Sequence, residues 1–245
     1  MKGVSNPFII SGYEGEKYFC DRRQELSQLR LEIENGNNVA LIASRRMGKS
    51  GLIQHYFAQP QLQDTYYTFF IDIYDTQSLS EFVLKLSRNI LTHLKPHGLA
   101  VLQRFWDCMR SLQAGISFSP MGEPSFNVQL GDIREAETTL DEIFHYIELA
   151  DRPCIVAIDE FQQIGEFADS LTFQKKLRSV WQLQSHVSYC LYGSKKHMME
   201  SIFLERDYPF YKFGDIIVLD KIPRDQWASF IVRRFSDTGK HISPE

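Results

Sequence analysis

The chain has 245 residues, 43% of them hydrophobic and 24% charged, with a formal net charge of −4. This is the balance of a soluble globular protein with one substantial core or two small ones, and it argues against bulk, sequence-blind nucleic-acid binding. No segment approaches the roughly 18 consecutive apolar residues of a membrane span, and residues 1–7 carry no apolar signal-peptide region.

In chain order, residues 20–35 predict a helix with Leu26, Leu29 and Ile33 on one face and Asn35-Gly36-Asn37 as its stop. An apolar run at 38–43 reads as a first strand, followed by a short loop and a helix over 49–58. Residues 66–73, rich in β-formers, read as a second strand. Ser78-Leu79-Ser80-Glu81 has capping-box spacing and starts a helix carrying Phe82, Leu86, Ile90 and Leu94, which ends before Pro96. Residues 97–113 predict a further helix, with Leu99, Leu102, Phe105, Trp106 and Met109 apolar. Ile116 and Phe118, then Phe126, Val128 and Leu130, alternate with polar residues across a Ser-Pro-Met-Gly-Glu-Pro turn, the pattern of a hairpin.

Thr139-Leu140-Asp141-Glu142 is expected to cap a helix with Ile143, Phe144 and Ile147 inward. A third strand over 153–159 ends in acids, and a helix over 171–184 carries Phe173, Leu177, Val180 and Trp181. Residues 187–194 and 215–219 read as the fourth and fifth strands. A last helix, Asp225 to Phe235, carries Trp227, Phe230, Ile231 and Phe235. Strands alternating with helices predict a mostly parallel sheet with helices on both faces. The Leu, Phe and Trp residues at these spacings are expected in the core, not around a cofactor.

Cys20, Cys108, Cys154 and Cys190 are far apart and lack metal-ligand spacing. No disulfide framework is indicated, and a reducing, cytoplasmic setting is the natural expectation. Of the basic clusters, Lys175-Lys176 and Lys195-Lys196 read as solvated faces. Arg45-Arg46 lies inside the most informative stretch.

That stretch is Ile42-Ala43-Ser44-Arg45-Arg46-Met47-Gly48-Lys49-Ser50. Strand, tight loop ending Gly-Lys-Ser, then helix is the layout of a phosphate-binding loop. Backbone N–H groups of Ser44 to Gly51, with the positive end of the helix behind them, would cradle phosphate oxygens. Lys49 would reach the outer phosphates and Ser50 would ligate Mg²⁺. The usual opening glycine is Ala43 here, so the loop must turn there without positive φ or carry strain. The apolar run Pro153 to Ile158 closes on Asp159-Glu160, at the strand end where open α/β sheets bind ligands. Asp159 would assist Mg²⁺ and Glu160 would polarise an attacking water; the alternative is that both cap the following helix. The fourth strand ends in Gly193-Ser194, where Ser194 would face the terminal phosphate or simply form a turn.

The chain resembles the archaeal-type ATPase family, close to the STAND group in the AAA-like branch of P-loop NTPases. Phe19-Cys20-Asp21-Arg22-Arg23-Gln24-Glu25-Leu26 resembles its N-terminal Phe-x-Gly-Arg-x-x-Glu-Leu box, with Asp21 in place of Gly. Ser44 to Ser50 is similar to the family's Pro-Arg-Arg-x-Gly-Lys-Thr/Ser loop. Ile158 to Gln162 resembles its Walker B strand end, and Tyr192-Gly193-Ser194 with Met198-Met199 its sensor-1 segment. The resemblance implies a three-layer sandwich with strand order 5-1-4-3-2 and a hairpin-bearing insertion at about 97–131. It implies one AAA-like domain over 1–245, ending before a helical lid and winged helix. Arg22 would line the adenine side, Lys49 and Ser50 would bind phosphate and Mg²⁺, and Asp159 would assist the metal. Glu160 would act as general base and Ser194 would sense the γ-phosphate. An arginine finger would lie outside the chain or on a neighbouring subunit; Arg206 and Arg233-Arg234 are candidates for it or for surface salt bridges.

The favoured expectation is an ATP-binding, Mg²⁺-dependent NTPase, slow in isolation, acting as a nucleotide-driven switch. The alternative is a degenerate or nucleotide-binding scaffold for a protein partner, with little turnover. Self-association is also expected, and nucleic-acid contact only through a region beyond this chain. A nucleic-acid kinase or helicase lacks a supporting motif or basic aromatic groove.

Overall fold

The computed structural model describes residues 6–8, 12–112, 115–118, 124–127 and 135–243. The expected turn at 119–123, Val128 and Leu130, and the chain's last two residues lie outside them.

Seven strands are present among the described residues: β1 (Val39–Ile42), β2 (Tyr67–Asp72), β3 (Gly115–Phe118), β4 (Pro124–Asn127), β5 (Cys154–Asp159), β6 (Val187–Gly193) and β7 (Asp215–Val218). Five of them form one sheet in the order β2-β5-β6-β1-β7, with every pairing parallel. This is the 5-1-4-3-2 order expected for the five main strands, wholly rather than mostly parallel. The other two pair antiparallel with Ile116 opposite Phe126, as the alternation predicts.

The helices are α1 (Arg23–Glu34), α2 (Lys49–Phe57), α3 (Pro60–Thr65), α4 (Leu79–His93), α5 (Leu99–Ser111), α6 (Ala136–Glu148), α7 (Ser170–Trp181), α8 (Lys196–Leu204) and α9 (Arg224–Ser236). The sequence reading missed α3 and α8. The first is six residues long, and the second lies in a stretch read only as part of a strand-end motif.

Burial follows strand position. β1 and β6 are buried throughout and β5 is buried up to Asp159, whereas the edge strands β2 and β7 are buried in part. Period-two alternation sends Ala40 and Ile42 to one core and Val39 and Leu41 to the other. The larger core joins the sheet to α4, α6, α7 and α8 through Phe82, Leu86, Phe144, Leu177 and Ile202. The smaller joins it to α1, α2 and α3 through Leu29, Ile33, Leu52, Ile53 and Leu62. The result is a three-layer α/β/α sandwich.

Three local expectations change. Thr139 lies within α6, whose N-cap is Glu135, and its hydroxyl donates to the Glu135 carbonyl (3.1 Å), so the helix starts earlier than the Thr-x-x-Glu pattern implied. In α5, Phe105 and Met109 enter the larger core while Leu99, Leu102 and Trp106 stay exposed. The apolar residues of α9 join neither main core: Phe8 packs against Phe230 and Phe235, and Trp227 is 42% exposed. By contrast, Ser78 caps α4 as its spacing predicts, accepting from the Glu81 amide (3.3 Å). The four cysteines are buried and free, and Lys176 pairs with Glu137 and Asp141 on α6. Among the described residues no helix is long and apolar enough to cross a membrane.

Candidate functional site

The site lies at the C-terminal ends of β1, β5 and β6. Parallel β1–β6 and β5–β6 pairing brings the loop after Ile42, the Asp159–Glu160 pair and the Gly193–Ser194 pair to one rim. Consecutive parallel strands reversing their order around β1 make this rim a topological switch point.

The loop turns through Arg46 (φ 62°) and Gly48 (φ 86°), both left-handed. Ala43 takes no positive φ; it is buried in the smaller core, so its methyl group packs while Arg46 carries the strained geometry. The first helical bond of α2 runs from Leu52 N to Gly48 O (2.9 Å). The amides before it have no carbonyl a turn behind them and are the donors an anion would use. Lys49 is buried, and its Nζ donates to the carbonyls of Ala43 (3.3 Å) and Ser44 (3.1 Å). Burial pulls the Lys49 pKa down, Glu160 and Asp159 pull it up, and Arg45 adds to the lowering.

Ser50 Oγ donates to Asp159 Oδ2 at 2.7 Å, joining residues 109 apart in sequence. Burial raises the Asp159 pKa against the bonds from Ser50 and the Glu160 amide. Glu160 is left-handed (φ 55°), and a 3-10 turn, Phe161–Glu166, follows it. Three donors converge on its Oε2: Gln162 Nε2 (2.5 Å), Ser194 Oγ (2.8 Å) and Ser194 N (3.3 Å). Burial raises its pKa, but these bonds and Lys49 outweigh that and leave the carboxyl below its ordinary value.

Arg45, Arg46, Gly48, Lys49, Ser50, Gly51, Asp159, Glu160 and Ser194 wall one cavity of about 550 Å³. Ser44 contributes its carbonyl to Lys49 instead of a wall. A second cavity of about 730 Å³ shares the walls Arg46, Gly48 and Gly51 and continues to Phe8, Tyr18, Phe19, Met47, Trp227 and Phe230. Arg22 borders this second cavity but is itself buried, with its guanidinium on Glu25 Oε1 (2.7 Å) and the Met47 carbonyl (3.0 Å). Asp21 and Arg22 both take positive φ (55° and 69°), so the position expected to be glycine is held left-handed by an aspartate, a residue that tolerates it.

The aromatic cavity corrects the expectation that Trp227 and Phe230 are only core. No local pattern marks them, because their cavity partners Phe8, Tyr18 and Phe19 lie some two hundred residues upstream. Gln162 was also missed as a functional contact; its place in Asp159-Glu160-Phe161-Gln162 shows only that it is near. Of the three arginine candidates, Arg234 is 2% exposed and committed to the Pro7 carbonyl (2.8 Å), Asp237 (2.7 Å) and the Tyr18 ring. Arg233 lies over Phe230, and Arg206 is exposed on the turn after α8.

No cluster of three or more metal-ligating side chains exists among the described residues. A hydroxyl and a carboxylate alone suit Mg²⁺, which keeps waters and borrows phosphate oxygens. Their 2.7 Å contact beside an invaginated lysine fits a metal–triphosphate pair rather than an all-protein metal cage.

No protein-family model and no curated protein sequence matches the chain. Solved structures do. A Walker-type ATPase of Pyrococcus abyssi matches with a TM-score of 0.66 at 16% identity, covering 98% of this chain and 64% of that one. The ORC2 protein of Aeropyrum pernix, solved with ADPNP and ADP, matches with a TM-score of 0.61 at 12% identity, covering 95% and 55%. The ORC1 protein of the same organism, solved with DNA, matches with a TM-score of 0.57 at 11% identity, covering 89% and 50%. The chain thus spans between half and two-thirds of the length of these proteins. The all-parallel 5-1-4-3-2 sheet, the loop at its rim and these likenesses give this chain the fold of the Walker-type P-loop ATPases.

Proposed function

We propose that the chain is a nucleotide-binding P-loop module that takes ATP with Mg²⁺, hydrolyses it slowly and works as a nucleotide-driven switch. The observation that carries this reading is the Ser50–Asp159 bond in the wall of a cavity that Lys49, Glu160 and Ser194 also line. The aromatic cavity suits a purine base, and the shared walls Gly48 and Gly51 suit the phosphates between base and metal. The ATP-analogue complex of the ORC2 protein supports the choice of ligand by analogy of fold.

Lys49 would leave the Ala43 and Ser44 carbonyls for the outer phosphates, gaining a stronger partner for a buried charge. Ser50 and Asp159 would hold Mg²⁺, which supplies charge neutralisation at the phosphates. Glu160 would orient and deprotonate water, and Ser194 would meet the terminal phosphate with the hydroxyl it now gives Glu160. That exchange is the switch: Ser194 sits between β6 and α8, so its change of partner is felt by both. Arg22 acts on the site by holding the loop at Met47.

A second reading, a binding scaffold with little turnover, draws on the same contacts. Three donors on Glu160 Oε2 hold the carboxylate in place and weaken it as a base. In either case a protein partner or self-association in the cytoplasm would be the setting. Calorimetry with Mg²⁺ and a non-hydrolysable ATP analogue tests the ATPase reading. Wild type should bind and Lys49→Ala should not; a folded wild type without binding refutes the ATPase reading and leaves the degenerate scaffold standing.

A further inference from the structure

Two arginines adjoin in the loop, and their surroundings differ. Arg46 borders both cavities, whereas Arg45 borders only the one that contains Glu160 and Ser194. The walls common to both cavities are Arg46, Gly48 and Gly51. A nucleotide with its base in the aromatic cavity must cross those shared walls, so its first phosphates pass Arg46. Arg45, Glu160 and Ser194 wall only the cavity beyond those shared walls, so the phosphate farthest from the base is the one that meets them.

Both arginines are exposed, and neither has a side-chain hydrogen bond or ion pair with a described residue. Nearby Arg22 and Arg234 are committed instead to Glu25 and Met47, and to Pro7 and Asp237. Arg45 also walls the same cavity as Lys49. Arg45, Arg46 and Lys49 face Asp159 and Glu160 around one cavity, an arrangement whose complement is a multiply charged anion. An uncommitted guanidinium offers a planar fork of donors that matches phosphate oxygens two at a time.

We propose that Arg45 is a specificity-determining residue that reads the terminal phosphate of a nucleoside triphosphate, while Arg46 serves the phosphates common to di- and triphosphates. This deepens the nucleotide-binding reading and rests on it. Arg45 thereby supplies, from within the loop, positive charge at the phosphate that departs on hydrolysis.

The test is calorimetric titration with Mg²⁺–ADP and with Mg²⁺ and a non-hydrolysable ATP analogue. Wild type, Arg45→Ala, Arg45→Lys and Arg46→Ala are compared. Arg45→Ala should weaken the triphosphate analogue by about 10-fold and leave ADP within about 2-fold, as loss of one charge-assisted contact predicts. Arg45→Lys should fall between, keeping charge but not the fork. Arg46→Ala should weaken both nucleotides. Equal weakening of both nucleotides in Arg45→Ala, or no weakening, overturns the assignment while leaving nucleotide binding intact. A folded wild type that binds neither nucleotide overturns the binding reading, and the assignment with it.

Discussion

The side-chain oxygen of Gln162 stands where a Cβ on Gly193 would have to go, with Met199 Sδ closing the same space. The amide orientation of Gln162 is forced: a carboxylate only accepts, so the nitrogen must face Glu160 and the oxygen must face Gly193. That oxygen is buried without a partner. Gly193 is therefore required because an amide serving Glu160 lies against it, and not for positive φ, which it does not have.

Gly193→Ala should thus displace Gln162 and cost about 1–3 kcal/mol of stability, as overpacking does. Denaturant unfolding measures this. The double variant Gln162→Ala/Gly193→Ala should recover part of the loss, because the space is free again. Additive losses would mean that the two residues do not compete for it.

Glu160→Gln should lower ATP turnover by about 10²–10³-fold while keeping the affinity for an ATP analogue within about 3-fold. Steady-state hydrolysis beside calorimetry separates the two effects. Turnover equal to wild type would assign the observed hydrolysis to something other than Glu160.

Arg22→Ala should destabilise the fold by about 2–3 kcal/mol, since it removes a buried guanidinium from Glu25 and from the Met47 carbonyl. Arg22→Lys should recover less than half, because an ammonium cannot hold both partners in one plane. Urea midpoints check this, and full rescue by lysine would reduce the role of Arg22 to charge.

Cys20 borders the aromatic cavity, and its thiol is pushed up to about 11, by burial first and by Asp21 second. At pH 8 about one part in a thousand is thiolate, roughly a hundredfold less than for an ordinary thiol. Iodoacetamide labelling followed by mass spectrometry should be slow at pH 8 and rise about tenfold per pH unit toward 10. A saturating ATP analogue should suppress it. Labelling indifferent to the analogue would place the base elsewhere.

His55 stacks on Phe19 (4.1 Å between centroids) and shares a hydrogen bond with the Tyr13 hydroxyl (2.8 Å). Burial pulls its pKa below the ordinary value, against Glu16, which raises it. Between the folded value and about 6.5 the unfolded chain binds more protons, so stability rises with pH there. The contribution is complete above about pH 6.5 and declines as pH falls below it. Urea midpoints should therefore fall more steeply toward pH 5.5 in wild type than in His55→Phe; parallel slopes would exclude His55 as the cause.

The amino-acid sequence by itself determined the layers and named most of the residues that the fold brings to one rim. Continuous apolar runs such as Cys154–Ile158 marked strands buried on both faces, because only a sheet covered by helices buries every residue of a strand. Gly48-Lys49-Ser50 and Asp159-Glu160 were legible because each chemistry is carried by adjacent residues. Tertiary structure alone decided which contacts those groups make. The Ser50–Asp159 bond needs β1 and β5 to flank β6, and strand order is not written in any local window. The convergence of Gln162 and Ser194 on one oxygen of Glu160 needs a 3-10 turn packed against the end of β6. The aromatic cavity needs the N-terminal segment to lie on α9, held by Arg234 reaching the Pro7 carbonyl. Each relationship joins distant segments through a hydrogen bond or shared wall, and such contacts leave no periodicity in a sequence, because periodicity records only which face of one element is buried.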